Sequence, residues 1–343
     1  MFVDCLTRLE KGEPMNVSMW WKALRIIPRI NREEWLRLDV ISRWLISTRA
    51  AVLIMTFISA AIPGLLALRA GQFDLGRWLL LVFGLIFAHA TNNLLNDYTD
   101  FKRGVDKDNY FRTQYGPQPL QSGLMSEREL LTYAGITGLI AVAAGIPLII
   151  YGGTTALLLM LAGAVFVLFY TWPLKYIGLG ELAVVLIWGP LMVGGGYFVI
   201  TGAWDWNVVL ASLPYALGPT TVIFGKHIDK LPQDAAKRIH TMPVILGEKI
   251  ARYAVFAMIA LMYLLVVVLV ITGYFSPVML AVFLAFYTWK SVWNVYKNPK
   301  PEQAPADYAP GTWPLWFSAT SFYHNRSFGM FFLLGLILSI FIH

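Results

Sequence analysis

Two groups of carboxylates stand at the ends of apolar stretches in a chain that carries few charges. Asp97 and Asp100 close one apolar run, and Asp229 and Asp234 follow another. Hard divalent cations take oxygen ligands, and they commonly bind carboxylates together with substrate phosphates. The sequence therefore predicts magnesium ions that hold a diphosphate at the ends of membrane helices.

The first group forms one polar face. Residues three and four apart share a face on a helix. The face consists of Asn93, Asn96, Asp97 and Asp100, and Asp106 follows after a turn. A carboxylate at the centre of a bilayer costs roughly 2.5 to 3.5 kcal/mol, so this face is expected to meet a cavity or an ion. The alternative is a solvated loop whose acids pair with nearby lysines, which explains the two Asn and two Asp in register poorly.

Basic residues accompany the second group. Lys226 lies one turn before Asp229 and is expected to contact a phosphate oxygen, while Asp229 and Asp234 are expected to hold a second magnesium ion. Between the two groups, Lys175 is the only basic residue of a short connection. It is predicted to contact the same diphosphate, and the alternative is a lysine that merely reaches the membrane interface.

The composition places these groups in an all-α membrane protein. Of 343 residues, 57% are hydrophobic and 14% are charged, against roughly 25% charged in an average soluble domain. Crossing a hydrocarbon core of about 30 Å takes about 20 helical residues. Nine such spans are predicted, two of the stretches being broken into pairs: 50–68, 78–96, 130–174 (broken at 151–153), 182–204, 206–225, 253–289 (broken at 273 and 277) and 327–343.

The distribution of basic residues predicts the orientation. With nine spans, only Arg69 and Arg77 of the 27 Lys and Arg residues lie in loops on the far side, and cytoplasmic loops keep an excess of basic residues. The N-terminus and the active site are therefore predicted to face the cytoplasm, in a multi-pass protein of the cell membrane. The net charge of +7 is assigned to this bias and to anionic lipid, and no nucleic-acid binding is expected.

The N-terminal segment is predicted to lie outside the membrane domain. Residues 1–43 lack the pattern of a cleavable signal peptide, and residues 20–30 alternate apolar and basic side chains as an amphipathic interfacial helix does. We assign 1–43 to a cytoplasmic or interfacial segment and 44–343 to the membrane domain. The single cysteine, Cys5, excludes an internal disulfide and a multi-cysteine metal site.

Three stretches resemble the UbiA superfamily of intramembrane prenyltransferases, and most closely its 1,4-dihydroxy-2-naphthoate branch of the menaquinone pathway. They are Asn96-Asp97-x-x-Asp100 followed by Gly104-x-Asp106, the loop Gly-Pro-Gln-Pro-Leu-Gln-Ser-Gly-Leu at 116–124, and Tyr170 to Glu181 leading into Gly189-Pro190-Leu191. The resemblance covers roughly residues 49–252. It implies nine helices around a central cavity, and Mg²⁺-dependent transfer of a polyprenyl group from an allylic diphosphate to an aromatic acceptor.

The resemblance also implies a set of site residues. The implied magnesium ligands are Asn96, Asp97, Asp100, Asp106, Asp229 and Asp234, of which Asp97, Asp100 and Asp229 take catalytic roles. The resemblance also implies Lys175 as a diphosphate contact. Beyond the resemblance, the predicted diphosphate contacts are Lys226, Arg112 and Tyr170. The residues that bind the acceptor are not identified by the sequence.

The chain departs from the family before the second motif. The family has Asn-Asn-x-Arg-Asp where this chain has Gly225-Lys226-His227-Ile228-Asp229, and one extra residue separates Asp229 from Asp234. The number of ions and the second-site ligands therefore stay open. The segment 310–326 does not map onto the naphthoate branch, and we expect an interfacial or lid element at the cytoplasmic mouth.

Other functions compete with this interpretation. A transporter would also place ionisable residues in a polar vestibule, but it predicts inverted repeats with corresponding helix breaks. The two acidic motifs instead lie on one side, four spans apart and in the same sense. A non-catalytic scaffold would not need these carboxylates. For the enzyme, the acceptor stays open among naphthoate, 4-hydroxybenzoate, homogentisate-like precursors, a tetrapyrrole and a glycerol-phosphate lipid, as do donor length and oligomeric state.

Overall fold

The computed structural model describes residues 15–105, 117–306, 308 and 312–342. These residues form helices and turns and contain no β-strand, so the predicted all-α class is confirmed for the described part of the chain. Three short helices come first, α1 (Val17–Arg25), α2 (Arg32–Leu36) and α3 (Val40–Ser47).

Eight helices among the described residues are long and apolar enough to cross a membrane. The first five are α4 (Ala50–Arg69), α5 (Leu75–Lys102), α6 (Glu127–Phe169), α7 (Gly180–Thr201) and α8 (Trp206–Asp229). Two short helices follow, α9 (Leu231–Ala236) and α10 (Met242–Leu246). The last three long helices are α11 (Glu248–Ile271), α12 (Pro277–Tyr296) and α13 (Phe317–Phe341).

Helix α6 covers the stretch in which two of the nine spans were predicted. A straight helix of its 43 residues would be about 64 Å long, twice the thickness of a hydrocarbon core. The backbone leaves the helical region at Gly153, where φ is 61° and ψ is −146°, within the predicted break. A Cβ atom built on Gly145 would lie 2.7 Å from Sδ of Met160. The two halves therefore fold back on each other as a helical hairpin.

Helix α8 lies at the centre of the bundle and α6 at its outer face. In the most apolar window of α8, 83% of the residues are buried, against 6% in α6. Helix α8 packs against α4, α7, α11 and α13. Within it, the fully buried Tyr215 donates a hydrogen bond of 3.1 Å to the Met55 carbonyl of α4. The outward apolar surface of α6 is the one expected to meet lipid.

The predicted amphipathic helix corresponds to α1, which ends at Arg25 rather than near residue 30. Asn16 caps α1, and the indole N–H of Trp20 donates to Asp39 at 2.9 Å. Asp39 also caps α3 by accepting from Ser42. These bonds tie the N-terminal helices to the start of the membrane domain.

The C-terminal helix begins ten residues before the predicted span. Residues 317–326 form the first turns of α13, and Ser321, His324 and Asn325 within them are buried. The expectation of an interfacial or lid element is therefore wrong for 317–326. Polar residues lower the apparent hydropathy of this stretch, but here they face other helices.

Three connections meet at one end of the bundle. Lys237, which follows α9, donates from Nζ to the carbonyls of Gly104 at 3.0 Å and Val105 at 2.7 Å, just beyond α5. The His240 amide donates to the Tyr176 carbonyl at 3.2 Å, in the connection between α6 and α7. The C-terminal ends of α5 and α8, which carry the two acidic groups, therefore lie at the same end of the bundle.

Candidate functional site

A chamber of about 470 Å³ lies between α5, α6, α7 and α8, within the range of roughly 300 to 1,000 Å³ typical of ligand pockets. Most of its lining is apolar. The polar or charged lining residues are Arg49, His89, Thr91, Asn92, Asn93, Asn96, Tyr170 and Lys226. All belong to the half of the bundle where the three connections meet, so the chamber has one polar end and an apolar depth.

Asp97 and Asp100 are buried next to the polar end, and each pairs with a cation. Asp97 forms an ion pair with Arg49, which lines the chamber. Asp100 accepts two hydrogen bonds from Nζ of Lys175, at 2.8 and 3.1 Å. A tight helical turn, Leu174–Ile177, brings Lys175 to this position between α6 and α7. The structure thus brings together two predicted ligands and one predicted diphosphate contact.

Asn96 completes this face of α5. Its Nδ2 donates to Oγ1 of Thr171 at 2.9 Å. Its Oδ1 is buried and has no hydrogen-bond partner among the described residues. Buried polar atoms normally have partners, and an amide oxygen beside two carboxylates is a ligand that Mg²⁺ accepts. The first acidic group therefore fits a magnesium ion.

Asp229 has different surroundings. One carboxylate oxygen accepts the N–H groups of Trp316 (3.1 Å) and Phe317 (3.0 Å), and the other accepts the N–H (3.0 Å) and hydroxyl (2.8 Å) of Ser318. Nζ of Lys300 lies 3.5 Å from the first oxygen; burial lowers the pKa of this ammonium, and Asp229 opposes the shift. The first N–H groups of a helix have no partner within it, so Asp229 acts as the cap of α13. It does not line the chamber.

Asp234 is held by a lysine of its own. Nζ of Lys230 lies 3.0 Å from its Oδ1, and both side chains are buried. Among the described residues, no group of three or more His, Cys, Asp or Glu side chains is arranged to hold a metal ion. A second magnesium ion at Asp229 and Asp234 stays a prediction, and the structure gives both carboxylates other partners.

Two further predicted diphosphate contacts do line the chamber. Lys226 and Tyr170 both stand at its polar end. Burial raises the pKa of the Tyr170 hydroxyl, with Glu181 and Asp100 adding to the effect, so this side chain stays a neutral hydrogen-bond donor. His227, next to Lys226, turns to Glu181 instead, with 2.5 Å between Nδ1 and Oε1.

Asp106 and Arg112 lie outside the described residues. The sequence reasoning also missed Arg49, Thr171 and Lys230. Arg49 has no local signal in the sequence; in the structure it has a left-handed backbone (φ 55°), which is uncommon for a residue other than glycine. Lys230 had a usable signal, since it stands four residues before Asp234 and such pairs meet on a helix.

Comparisons with known proteins identify the family of this chain. The model of the UbiA prenyltransferase family matches residues 56–309. The chain is 27% identical over 300 residues to a Bacillus subtilis protein named 1,4-dihydroxy-2-naphthoate octaprenyltransferase, covering 86% of this chain and 92% of that one.

Two solved structures share the fold. The apo UbiA homologue of Aeropyrum pernix K1 superposes with a TM-score of 0.63 at 20% identity, covering 84% of this chain and 98% of that one. The UbiA homologue of Archaeoglobus fulgidus bound to GPP and Mg²⁺ has a TM-score of 0.56 at 16% identity, with 88% and 100% covered. The family match spans more than half of the sequence and includes both acidic groups and every residue that lines the chamber except Arg49. The chain therefore belongs to the UbiA prenyltransferase family and is a prenyltransferase.

Proposed function

We propose that this enzyme transfers a polyprenyl group from an allylic diphosphate to an aromatic acceptor of the 1,4-dihydroxy-2-naphthoate type, with Mg²⁺ as cofactor. The observation that carries the proposal is the polar end of the chamber, where Asn96, Asp97 and Asp100 lie with Lys175 and Lys226 above an apolar depth. The name of the Bacillus relative supports the naphthoate acceptor. The ligands of the Archaeoglobus homologue support a prenyl diphosphate and Mg²⁺.

At the polar end, some residues would bind the magnesium ion and others would contact the diphosphate directly. Asn96, Asp97 and Asp100 would hold the magnesium ion, which draws negative charge off the diphosphate and so makes it a better leaving group. Lys226 and Lys175 would contact phosphate oxygens with charge-assisted hydrogen bonds. Tyr170 would donate a neutral one, and Arg49 keeps the Asp97 carboxylate oriented.

The apolar depth would hold the isoprenoid and protect the reacting carbon. When the allylic C–O bond breaks, its electron pair leaves with the diphosphate, and the allylic cation needs dry surroundings. The rings of Phe166 and Trp188 line the chamber, and a ring face stabilises a desolvated cation by about 2 kcal/mol. The acceptor ring forms the new C–C bond and loses a proton, or carbon dioxide where it carries a carboxylate at that carbon.

We also propose nine crossings, of which the α6 hairpin makes two, with the N-terminus and the polar end facing the cytoplasm. The support is the scarcity of basic residues on the far side. Arg69 and Arg77 both have protein partners there, donating to the carbonyls of Tyr274 at 3.0 Å and Ile200 at 2.6 Å. Glycine and alanine line the inner face of the lipid-exposed hairpin, through which substrate and product would pass sideways.

The test is a transfer assay with purified protein, Mg²⁺, labelled geranylgeranyl diphosphate and a panel of the five acceptor classes named above. We expect labelled product with 1,4-dihydroxy-2-naphthoate and none when Mg²⁺ is chelated. Transfer to another acceptor alone would overturn the acceptor assignment. Absence of transfer to every acceptor, by protein that remains folded, would contradict the proposed function.

A further inference from the structure

In the second acidic group, the Asp229 carboxylate already binds other groups of the protein. Both oxygens of Asp229 are occupied by the first N–H groups of α13, by the Ser318 hydroxyl and by Lys300. The side chain is fully buried. If Asp229 turned toward an ion, the N–H groups of Trp316, Phe317 and Ser318 would lose their acceptor inside the protein.

The Asp234 carboxylate forms an ion pair with the buried ammonium of Lys230. Lys230 lies between α8 and α9, and its Nζ is 3.0 Å from Oδ1 of Asp234, with exposures of 2% and 1% for the two side chains. The second oxygen of Asp234 is buried and has no hydrogen-bond partner among the described residues. With Asp229 bonded to the start of α13, Asp234 is the one carboxylate that the second group has left among the described residues, and a single carboxylate gives Mg²⁺ few ligands.

We infer that this enzyme holds its diphosphate with a single divalent ion, bound at Asn96, Asp97 and Asp100, and that the second acidic group stays free of metal because Asp229 is bonded to the start of α13. Lys226 supplies the positive charge on that side of the diphosphate. The inference rests on the proposed function and specifies the number of ions in its site. It replaces the second magnesium ion predicted at Asp229 and Asp234.

The test counts bound ions without turnover. Purified protein is saturated with a non-reactive thiolo analogue of geranylgeranyl diphosphate and titrated with Mn²⁺, and free Mn²⁺ is followed by electron paramagnetic resonance. We expect one Mn²⁺ per chain. Asp97→Asn should weaken Mn²⁺ binding at least tenfold, whereas Asp234→Asn should change it less than twofold. Two ions per chain, or a tenfold loss in Asp234→Asn, would overturn the inference.

The same titration separates this inference from the proposed function. If the wild-type protein binds the analogue with two ions, the single-ion inference fails while the proposed function stands. If it binds neither the analogue nor Mn²⁺, the proposed function fails and the inference fails with it.

Discussion

Asp100 and Asp229 occupy corresponding places at the C-terminal ends of α5 and α8, and both are buried. They differ in the groups that hold their carboxylates. Asp100 lies beside the chamber and is held by a side chain, the buried Lys175. Asp229 is bonded to the backbone at the start of α13. A carboxylate held by side chains can exchange a partner for an ion, whereas one held by a helix terminus is part of the packing.

Gly225 explains why the start of α13 can reach Asp229. A Cβ atom on Gly225 would lie 2.8 Å from the carbonyl carbon and oxygen of Phe317, so only glycine lets the start of α13 approach α8 this closely. Gly225 is one turn before Asp229, and the approach brings the N–H groups of α13 to the carboxylate. On α5, the residue one turn before Asp100 is Asn96, which lines the chamber.

The largest effect that this contrast predicts is on catalysis by the first group. Asp97→Asn should lower kcat/KM by on the order of 100-fold or more, because it removes a charged ligand of the ion. Initial rates over a Mg²⁺ series would measure it. The matched control is Asp74→Asn at the opposite end of the same helix, where Asp74 caps α5. Equal losses in both variants would contradict a site-specific role.

The next effect is on stability and concerns the second group. Asp229→Asn should lower the free energy of unfolding by about 2 kcal/mol, because an amide replaces the charged acceptor of buried N–H groups. Thermal unfolding in detergent would measure it, with Asp205→Asn at the other end of α8 as control. A variant with wild-type stability that has lost Mn²⁺ binding would show Asp229 to be a ligand after all.

A smaller effect, on KM for the diphosphate, is expected from substitution of Lys226. Lys226→Met should raise KM for the diphosphate roughly tenfold, since one charge-assisted hydrogen bond is lost, while Mn²⁺ still binds without substrate. Lys226→Arg should recover part of the affinity. Lys249→Met, at an exposed position of α11, should leave KM unchanged. An unchanged KM in Lys226→Met would remove this lysine from the site.

The smallest effect concerns the orientation of Asn96. Thr171→Val removes the hydrogen bond to Nδ2 of Asn96 and should raise the Mg²⁺ concentration for half-maximal rate about threefold. Thr171→Ser keeps the hydroxyl and should behave as wild type. A threefold change in Thr171→Ser as well would indicate lost packing rather than a lost hydrogen bond.

The helices and the first site could be predicted because their signals are local. Hydropathy and length found most of the spans, and the spacing of Asn96, Asp97 and Asp100 put them on one helix face. Arg49 could not be assigned, because its partner Asp97 is 48 residues away. The cap on Asp229 depends on contact with a helix 88 residues later, so no spacing rule could separate it from a ligand.

The central claim is that the diphosphate binds at the polar end of the chamber through the first acidic group. Anomalous diffraction from crystals soaked with Mn²⁺ and the thiolo analogue of geranylgeranyl diphosphate tests it most directly. The account predicts one manganese peak at Asn96, Asp97 and Asp100, with the diphosphate against Lys226 and the chain in the apolar depth. A peak at Asp229 or Asp234, or a chain bound outside the chamber, would contradict it.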